Sequence, residues 1–577
     1  MSTIEAFDLV IRNGRIVDGG GGAPFVADVA IRGDRIVTVG TVEGRGREEI
    51  DAAGCLVTPG FVDVHTHYDG QAIWSSRLLP SSAHGVTTVV LGNCGLGFAP
   101  CKPGDRDLLV CLMEGVEDIP EAVLTDGLTW EWESFAEYLD ALEARPHDID
   151  IAAYLPHSPL RVYVMGERGA RREPATAEDL VRMAAVTREA MRAGAMGFAT
   201  SSIVNHRDGK GELIPSYSAT EAELDAIAHA VGEAGHGVFQ IVPTLYADEA
   251  QAHEIMAMME RLSRAARVPV SFTFAQTNNA PGRWRDILAG VDRANGGGAE
   301  LKPQIHPKPI GIILGHNISL TPFSSCPSYQ AVSKLPLDRK IAELRKPDTR
   351  ARILAEATTT EVPPLLAASR DFANLFKMSD PPNYEPPQES CLLIQAERSG
   401  VTPDELAYDF LLEDNGNALI FLAASNYAHH NLDFVLDLAR HSDVIVALGD
   451  GGAHYGLICD ASYPTFMLTH WTRDRAGEKM PVEQAIRMLA GKPAELMGFD
   501  DRGRLAEGYK ANVNVIDYDG LRLNRPEVLF DLPGGGRRLH QTASGYRATI
   551  VNGEIIVRDD APTGKLPGRL VRSARRV

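Results

Sequence analysis

The hydrophobic pattern changes character along the chain. Residues 7–58 alternate apolar and polar positions in short runs, DLVIRNGRIVDGG and ADVAIRGDRIVTVG, with turn signals at Asn13-Gly14 and Gly33-Asp34. This predicts strands, with a hairpin at Asn13-Gly14. The far end repeats the pattern in NVNVIDYD and ATIVNGEIIVRD, with Asn552-Gly553 at a turn. Between the two ends, helical and strand periods alternate. Thr176 to Asp179 reads as a capping box before apolar Leu180, Met183, Ala184 and Met191, and Gly194 is the stop. Thr220 to Glu223 opens a second helix that Gly235 ends, and helices near 249–266 and 283–295 each lead into an apolar run.

Strand–helix alternation at this spacing predicts a parallel sheet, and its length predicts closure. The fold class is therefore α/β: a (β/α)8 TIM barrel with a composite β-sandwich domain formed by both chain ends. Barrel strands are expected near 60–65, 86–92, 149–154, 195–200, 237–242, 269–275, 300–306 and 444–449. The domains then span 1–58 with 498–577 for the β-sandwich, and 59–497 for the barrel. A long insertion, 312–440, precedes the last strand; it holds SDPPNYEPPQES and is expected to form a lid or an interface. The basic end, with Arg569, Arg572, Arg575 and Arg576, is expected to be loose.

Charge narrows the function classes. Lys and Arg total 57 against 77 for Asp and Glu, a net charge of −20. Such a chain is a poor partner for nucleic acid or an anionic membrane. MSTIEAFDLVIRNG shows neither a signal-peptide nor a membrane-span pattern. Seven scattered cysteines make no disulfide framework, so a reducing, cytoplasmic setting is expected. The expected partner is a small-molecule substrate; a homo-oligomer is compatible with the large insertion.

The densest chemistry lies in TPGFVDVHTHYDG. His65 and His67 alternate on a short apolar strand, so both side chains share one face. In a barrel that face is the interior, at the C-terminal mouth where active sites sit. Two imidazoles that close can share a metal ion. Farther on, GVTTVVLGNCG sets Cys94 in a Gly-Asn-Cys-Gly turn. A thiolate there is a good zinc ligand, and an inert buried thiol is the alternative. Asp450 follows the apolar VIVAL and precedes two glycines, with His454 just beyond. Arg207 and His206 follow the fourth strand, and Tyr163, with Arg161 and Arg168, follows the third. These are candidate substrate contacts, with surface charge or salt bridging as the alternative. The pair His429-His430 reads as incidental.

PGFVDVHTH resembles the first barrel strand of the amidohydrolase superfamily, and the flanking DLVIRNGRIVDG and VNGEIIVRD resemble its split β-sandwich. GVTTVVLGNCG resembles the N-acyl-D-amino-acid deacylase (D-aminoacylase) branch. That resemblance implies that Cys94 is a metal ligand. VALGDGGAH resembles the eighth strand, where an aspartate shuttles a proton and in some members ligates metal, which implies the first role for Asp450 and allows the second. The chain departs from the branch on strands 5 and 6, where metal-binding histidines are expected. Strand 5 carries Gln240, and strand 6 carries Thr273 and Gln276. Strand 4 has no lysine to form a carbamate bridge, and strand 5 lacks the arginine that grips a substrate carboxylate. His306 on strand 7 is either a replacement ligand or a hydrogen-bonding group.

The expectation is a metal-dependent hydrolase of a linear amide, an N-acyl amino acid or a related N-acyl compound. One Zn2+ is expected on His65, His67 and Asp450, with Cys94 in reserve as a further ligand, and a second ion is disfavoured. Asp450 is the expected catalytic base and acid. Arg207, His206, Tyr163, His454, Gln240 and His306 are the candidates for substrate binding. Two other readings compete. One is a cyclic amidase of the hydantoinase kind, which the missing strand 4 lysine disfavours. The other is a metal-free barrel that binds or scaffolds.

Overall fold

The computed structural model describes residues 6–245, 248–357 and 364–573. Its centre is two runs of parallel strands laid down in chain order. The first joins Phe61–Asp63, Val86–Leu91 and Asp150–Ala153. The second joins Leu155–Pro156, Gly197–Ser201, Val238–Val242, Val270–Thr273, Leu301–Ile305 and Ile445–Val446. Strands such as Val86–Leu91 and Val238–Val242 are buried at every position, as parallel strands covered on both faces must be. The two runs share one stretch of chain, because Tyr154 N donates to Leu91 O while Met196 N donates to Ala153 O. At the other edge Asp450 N donates to His65 O and His67 N to Gly451 O, so the last run lies beside the first.

Helices cover these strands. Ala177–Ala193 starts at a full capping box between Thr176 and Asp179 and stops at Gly194, whose φ of 110° suits glycine. Thr220 caps Glu221–Gly232, but the Glu223 side chain turns inward instead of closing the box. Two expected strands are shorter than their apolar runs. The first ends at Asp63 because the Asp63 carboxylate takes the His65 N–H, which removes it from the ladder. The last is only Ile445–Val446, because Leu448 and Asp450 turn to φ 65° and 46°.

Both chain ends enter one nine-stranded sheet, in which Leu56–Pro59 pairs with Val513–Ile516. Leu9, Ile11, Val29, Ile31, Val57, Val513 and Ile550 form its buried face. The expected hairpin at Asn13-Gly14 is instead a bulge inside one long strand, Ala6–Ile16. Asn13 N donates to Asp28 Oδ1, and a Cβ on Gly14 would lie 2.4 Å from Val57 Cγ2. Gly33-Asp34 and Asn552-Gly553 do join neighbouring strands. The basic end is docked rather than loose as far as residue 573. Val571 N donates to Ile151 O, and Arg572 pairs with Asp140 and Glu143. Arg575 and Arg576 lie outside the described residues.

The inserted segment has its own core. Ile310–Leu314, Ile420–Ser425 and Leu375–Lys377 form an antiparallel sheet packed by Phe323, Ile341, Leu392 and Tyr408. Its Pro-rich stretch is pinned where Glu385 meets His470 and Arg475. Its loop near Ser319 bonds to Asp118, which also accepts from Gly456 N. Among the described residues no helix is long and apolar enough to cross a membrane.

Candidate metal centre

The C-terminal ends of the parallel strands bring four of the expected residues together. His65 and His67 follow the first strand, not on it but in the bend beyond Asp63. Cys94 follows Val86–Leu91 in a left-handed conformation, φ 59°, flanked by Gly92 at φ 79° and Gly95 at φ 70°. Glycine is required at 92, where a Cβ would lie 2.4 Å from Tyr154 O. Asn93 Nδ2 donates to Thr66 O and Val90 O and so ties this turn to the histidine segment. Cys94 N donates to Gln240 Oε1 at 3.1 Å.

His65 Nε2 is 3.3 Å from Cys94 Sγ, and His67 Nε2 is 3.8 Å from it. Asp450 Oδ1 lies 3.5 Å from His65 Nε2 and 3.6 Å from His67 Nε2. Ligand atoms of His65, His67 and Cys94 all fall within 4.8 Å of one another. Zinc bonds of ~2.1 Å to nitrogen and ~2.3 Å to sulfur give tetrahedral edges of roughly 3.3–3.8 Å. The observed separations fall in that range, and the donor set of imidazoles, thiol and carboxylate is one that zinc favours. The residues present therefore fit the metal that the resemblance implies.

Hydrogen bonds behind the donors set their orientation, and burial and mutual charge set their protonation. His65 Nδ1–H donates to Gln304 Oε1 at 2.8 Å, while Gln304 Nε2 donates to Ser271 Oγ. This fixes the tautomer that leaves Nε2 free for a metal. Burial pushes His65 down to about 4, against the pull of Asp450, and keeps it neutral. Burial pushes the Cys94 thiol up to about 12, against the opposing charge of His67. Burial alone would lower His67, but Glu117, Cys94 and Asp450 outweigh it and hold it well above the usual histidine range. Burial alone would raise Asp450, yet His67, His65 and His454 hold it well below the usual carboxylate range. Asp63, behind His65, is raised to about 8 by burial, with its bond from His65 N opposing and the Asp450 charge adding.

The other expected residues are placed as follows. His206 bonds to Ser201 Oγ, and its ring is lowered to about 3 by desolvation and by His454 and His67, which places it near the cluster. His454 Nε2 is 3.3 Å from Glu117 Oε2. Gln240 is wholly buried and holds the Cys94 backbone. His306 is buried, with Nδ1 facing Ala447 O at 3.4 Å and Nε2 facing Asp460 at 3.5 Å. Arg207 lies in an exposed turn with its guanidinium on Gly211 O. Tyr163 sits on the helix His157–Met165, its ring under Lys102 Nζ. Arg161 is buried against Glu223 with His157, and Arg168 pairs with Asp179 and Glu173. His429 and His430 stay in the loop after Ile420–Ser425. A cavity of about 1050 Å³, lined by Met196, Lys302, Lys492 and Arg502, lies at the opposite ends of the strands and away from this chemistry. Glu117 is a site residue that sequence reasoning missed. It ends the helix Arg106–Glu117 and carries no motif.

A buried zinc-type donor set at the C-terminal ends of parallel strands, beside a carboxylate held ionised, defines a metal-dependent hydrolase. The profile of the Amidohydrolase family matches residues 48–557, and the chain belongs to that family. It is a hydrolase of carbon–nitrogen bonds other than peptide bonds, on the N-acyl-D-amino-acid deacylase branch. It is 32% identical over 585 residues to a D-aminoacylase of Alcaligenes xylosoxydans xylosoxydans, covering 99% of this chain and 98% of that one. It is 33% identical over 576 residues to an N-acyl-D-aspartate deacylase of the same organism, covering 98% and 95%. Among solved structures, it is similar to an N-acyl-D-glutamate deacylase of Bordetella bronchiseptica complexed with zinc and a phosphonate inhibitor. That match has a TM-score of 0.64 at 24% identity and covers 99% of this chain and all of the other. A D-aminoacylase crystal structure aligns with a TM-score of 0.65 at 23% identity, covering 98% and 100%. These two likenesses show the fold.

Proposed function

We propose that this chain is a zinc-dependent deacylase that hydrolyses the linear amide of an N-acyl amino acid at a single-ion site. The observation that carries the reading is the convergence of His65, His67, Cys94 and Asp450 at tetrahedral spacing. His65, His67 and Cys94 hold the ion, with Asp450 beside them. Zinc, when bound, supplies Lewis-acid chemistry toward a carbonyl oxygen and raises the acidity of water. Asp450 Oδ1, kept ionised by the histidines, takes the proton of the attacking water and returns it to the leaving nitrogen. His206 and His454 flank the approach and orient the substrate.

The same reading treats the parallel strands as a closed (β/α)8 barrel spanning 59–497. Residues 1–58 and 498–577 form the β-sandwich. Support comes from the bonds of Asp450 N and His67 N across the seam and from the pairing of Leu56–Pro59 with Val513–Ile516. A single ion is favoured because Gln240 Oε1 is occupied by Cys94 N and the strand Val270–Thr273 offers only the hydroxyls of Ser271, already bonded to Gln304, and Thr273.

The test is to strip the purified protein with a chelator and restore it with counted zinc. It is then assayed on a panel of N-acyl D- and L-amino acids and on a hydantoin. Activity on N-acyl amino acids should return with about one zinc per chain. Hydrolysis of the hydantoin alone, or activity indifferent to chelation, overturns the reading.

A further inference from the structure

His67 Nδ1 is fully buried and has no hydrogen-bond partner among the described residues. The acceptor that faces it is Glu117 Oε1, at 3.5 Å. The second carboxylate oxygen, Glu117 Oε2, is also buried and without a hydrogen bond, and it faces His454 Nε2 at 3.3 Å. Glu117 is 1% exposed. An ionised carboxylate at that depth is costly unless it has cationic or hydrogen-bonding partners. Among the described residues the charged partners facing it are these two imidazoles, and the His454 backbone N–H donates to the main-chain carbonyl of Glu117.

The backbone holds the carboxylate in place. Glu117 is the last residue of the helix Arg106–Glu117, and Asp118 follows at φ 50°. Asp118 accepts from Ser319 of the insertion and from Gly456 N beyond His454. Glu117 is thus fixed between the histidine segment, the loop after Ile445–Val446 and the insertion. His65 has its outward nitrogen fixed by a neutral amide, Gln304. His67 is given a carboxylate instead.

We propose that Glu117 is a positioning residue. It keeps the proton of His67 on Nδ1, so that Nε2 presents its lone pair to the ion, and with its other oxygen it holds His454 at the mouth. This rests on the zinc reading above. A carboxylate behind a ligating imidazole raises the basicity of the ligand, and losing such a partner typically costs 10–100-fold in metal affinity.

The experiment compares wild type, Glu117→Gln and Glu117→Asp. Zinc dissociation constants are read by chelator competition, and the visible spectrum is read after replacing zinc with cobalt(II). The metal alone is the probe, so no substrate is needed. Glu117→Gln keeps the shape and should weaken zinc by about 10–100-fold and shift the cobalt band, while the apoprotein melts near wild type. A folded Glu117→Gln that binds zinc as tightly as wild type, with an unchanged cobalt spectrum, overturns the proposal. Should Glu117→Gln fail to fold, Glu117→Asp decides. It keeps the charge but draws it back from His67, and an unchanged zinc affinity there is equally fatal. A wild-type protein that binds no zinc would instead sink the reading of the site itself, so the two failures are distinct.

Discussion

Replacing Asp450 by asparagine isolates charge and proton transfer from shape. Asp450 sits at φ 46°, a left-handed conformation that asparagine adopts as readily as aspartate. Its tie to the histidine segment is a backbone bond, Asp450 N to His65 O, which the substitution leaves alone. What is lost is one negative charge 3.5 Å from His65 Nε2 and 3.6 Å from His67 Nε2, and with it a group that can accept and return a proton. General acid–base catalysis is worth about 10²–10⁴ in rate, which at ~1.36 kcal/mol per tenfold is about 2.7–5.4 kcal/mol of barrier. In Asp450→Asn, kcat should fall by that factor while KM moves far less. The assay is steady-state hydrolysis of an N-acyl amino acid, with zinc content and melting temperature measured on the same sample. Rates are expressed per bound zinc, because Asp450 also faces both histidines. A folded, zinc-loaded variant with kcat close to wild type would refute the assignment. The proton would then travel through another group, with His454 and His306 next in line.

Three further outcomes follow from the same geometry. Cys94→Ser should lose zinc and activity together while the melting temperature changes little, since an alcohol is a far poorer ligand than a thiolate; a variant that keeps its zinc would show that Cys94 only packs. Zinc affinity should rise steeply with pH, because binding must expel the proton that burial holds on Cys94 up to about 12 and the one held on His67. Chelator competition at pH 6.5 and 7.5 should thus differ by about tenfold or more, tighter at the higher pH, and a flat profile would argue against both as ligands. Arg161→Ala should cost roughly 3–5 kcal/mol of stability by leaving buried Glu223 without its cation; denaturant unfolding measures this, and a large rise in KM with unchanged stability would return Arg161 to the substrate.

The parallel topology explains how much of the site could be read in advance. His65, His67, Cys94 and Asp450 each stand just beyond an apolar run, and parallel strands bring all such ends to one rim. Local pattern therefore sufficed to single them out. Glu117 stands fifty residues from His67 at the end of an ordinary amphipathic helix. Only packing brings it there, and no spacing rule announces it. Gln304 is similar, since an amide on a buried strand carries no motif until its partner, His65 Nδ1, is known. Asn13-Gly14 misled for a physical reason. The dipeptide can turn a hairpin, but Asp28 captures Asn13 N and the strand runs on through a bulge. Arg161 read as a possible mouth residue because it follows a strand. Its helix, His157–Met165, instead directs it to Glu223.

The two glutamines give the site its character. A second ion would need a second set of donors on the neighbouring strands. Gln240 stands on the strand after Gly197–Ser201, but its oxygen is committed to Cys94 N, and that bond helps hold the thiol turn at φ 59°. Were Gln240 Oε1 to ligate an ion, the turn would lose an anchor and the thiol would lose its aim. Gln304 commits its oxygen to His65 Nδ1 and its amide nitrogen to Ser271. Both amides thus act one step behind the donors, orienting groups rather than offering themselves. A neutral hydrogen-bonding frame of this kind lets two histidines, a thiol and a carboxylate stay crowded at 3.3–3.8 Å. Of the acidic groups behind the cluster, Glu117 faces His67, while burial raises Asp63 to about 8 and Asp69 to about 7. The charges that would meet a cation directly are those of the Asp450 carboxylate and the Cys94 thiolate. Together they balance one divalent ion and leave none for a second.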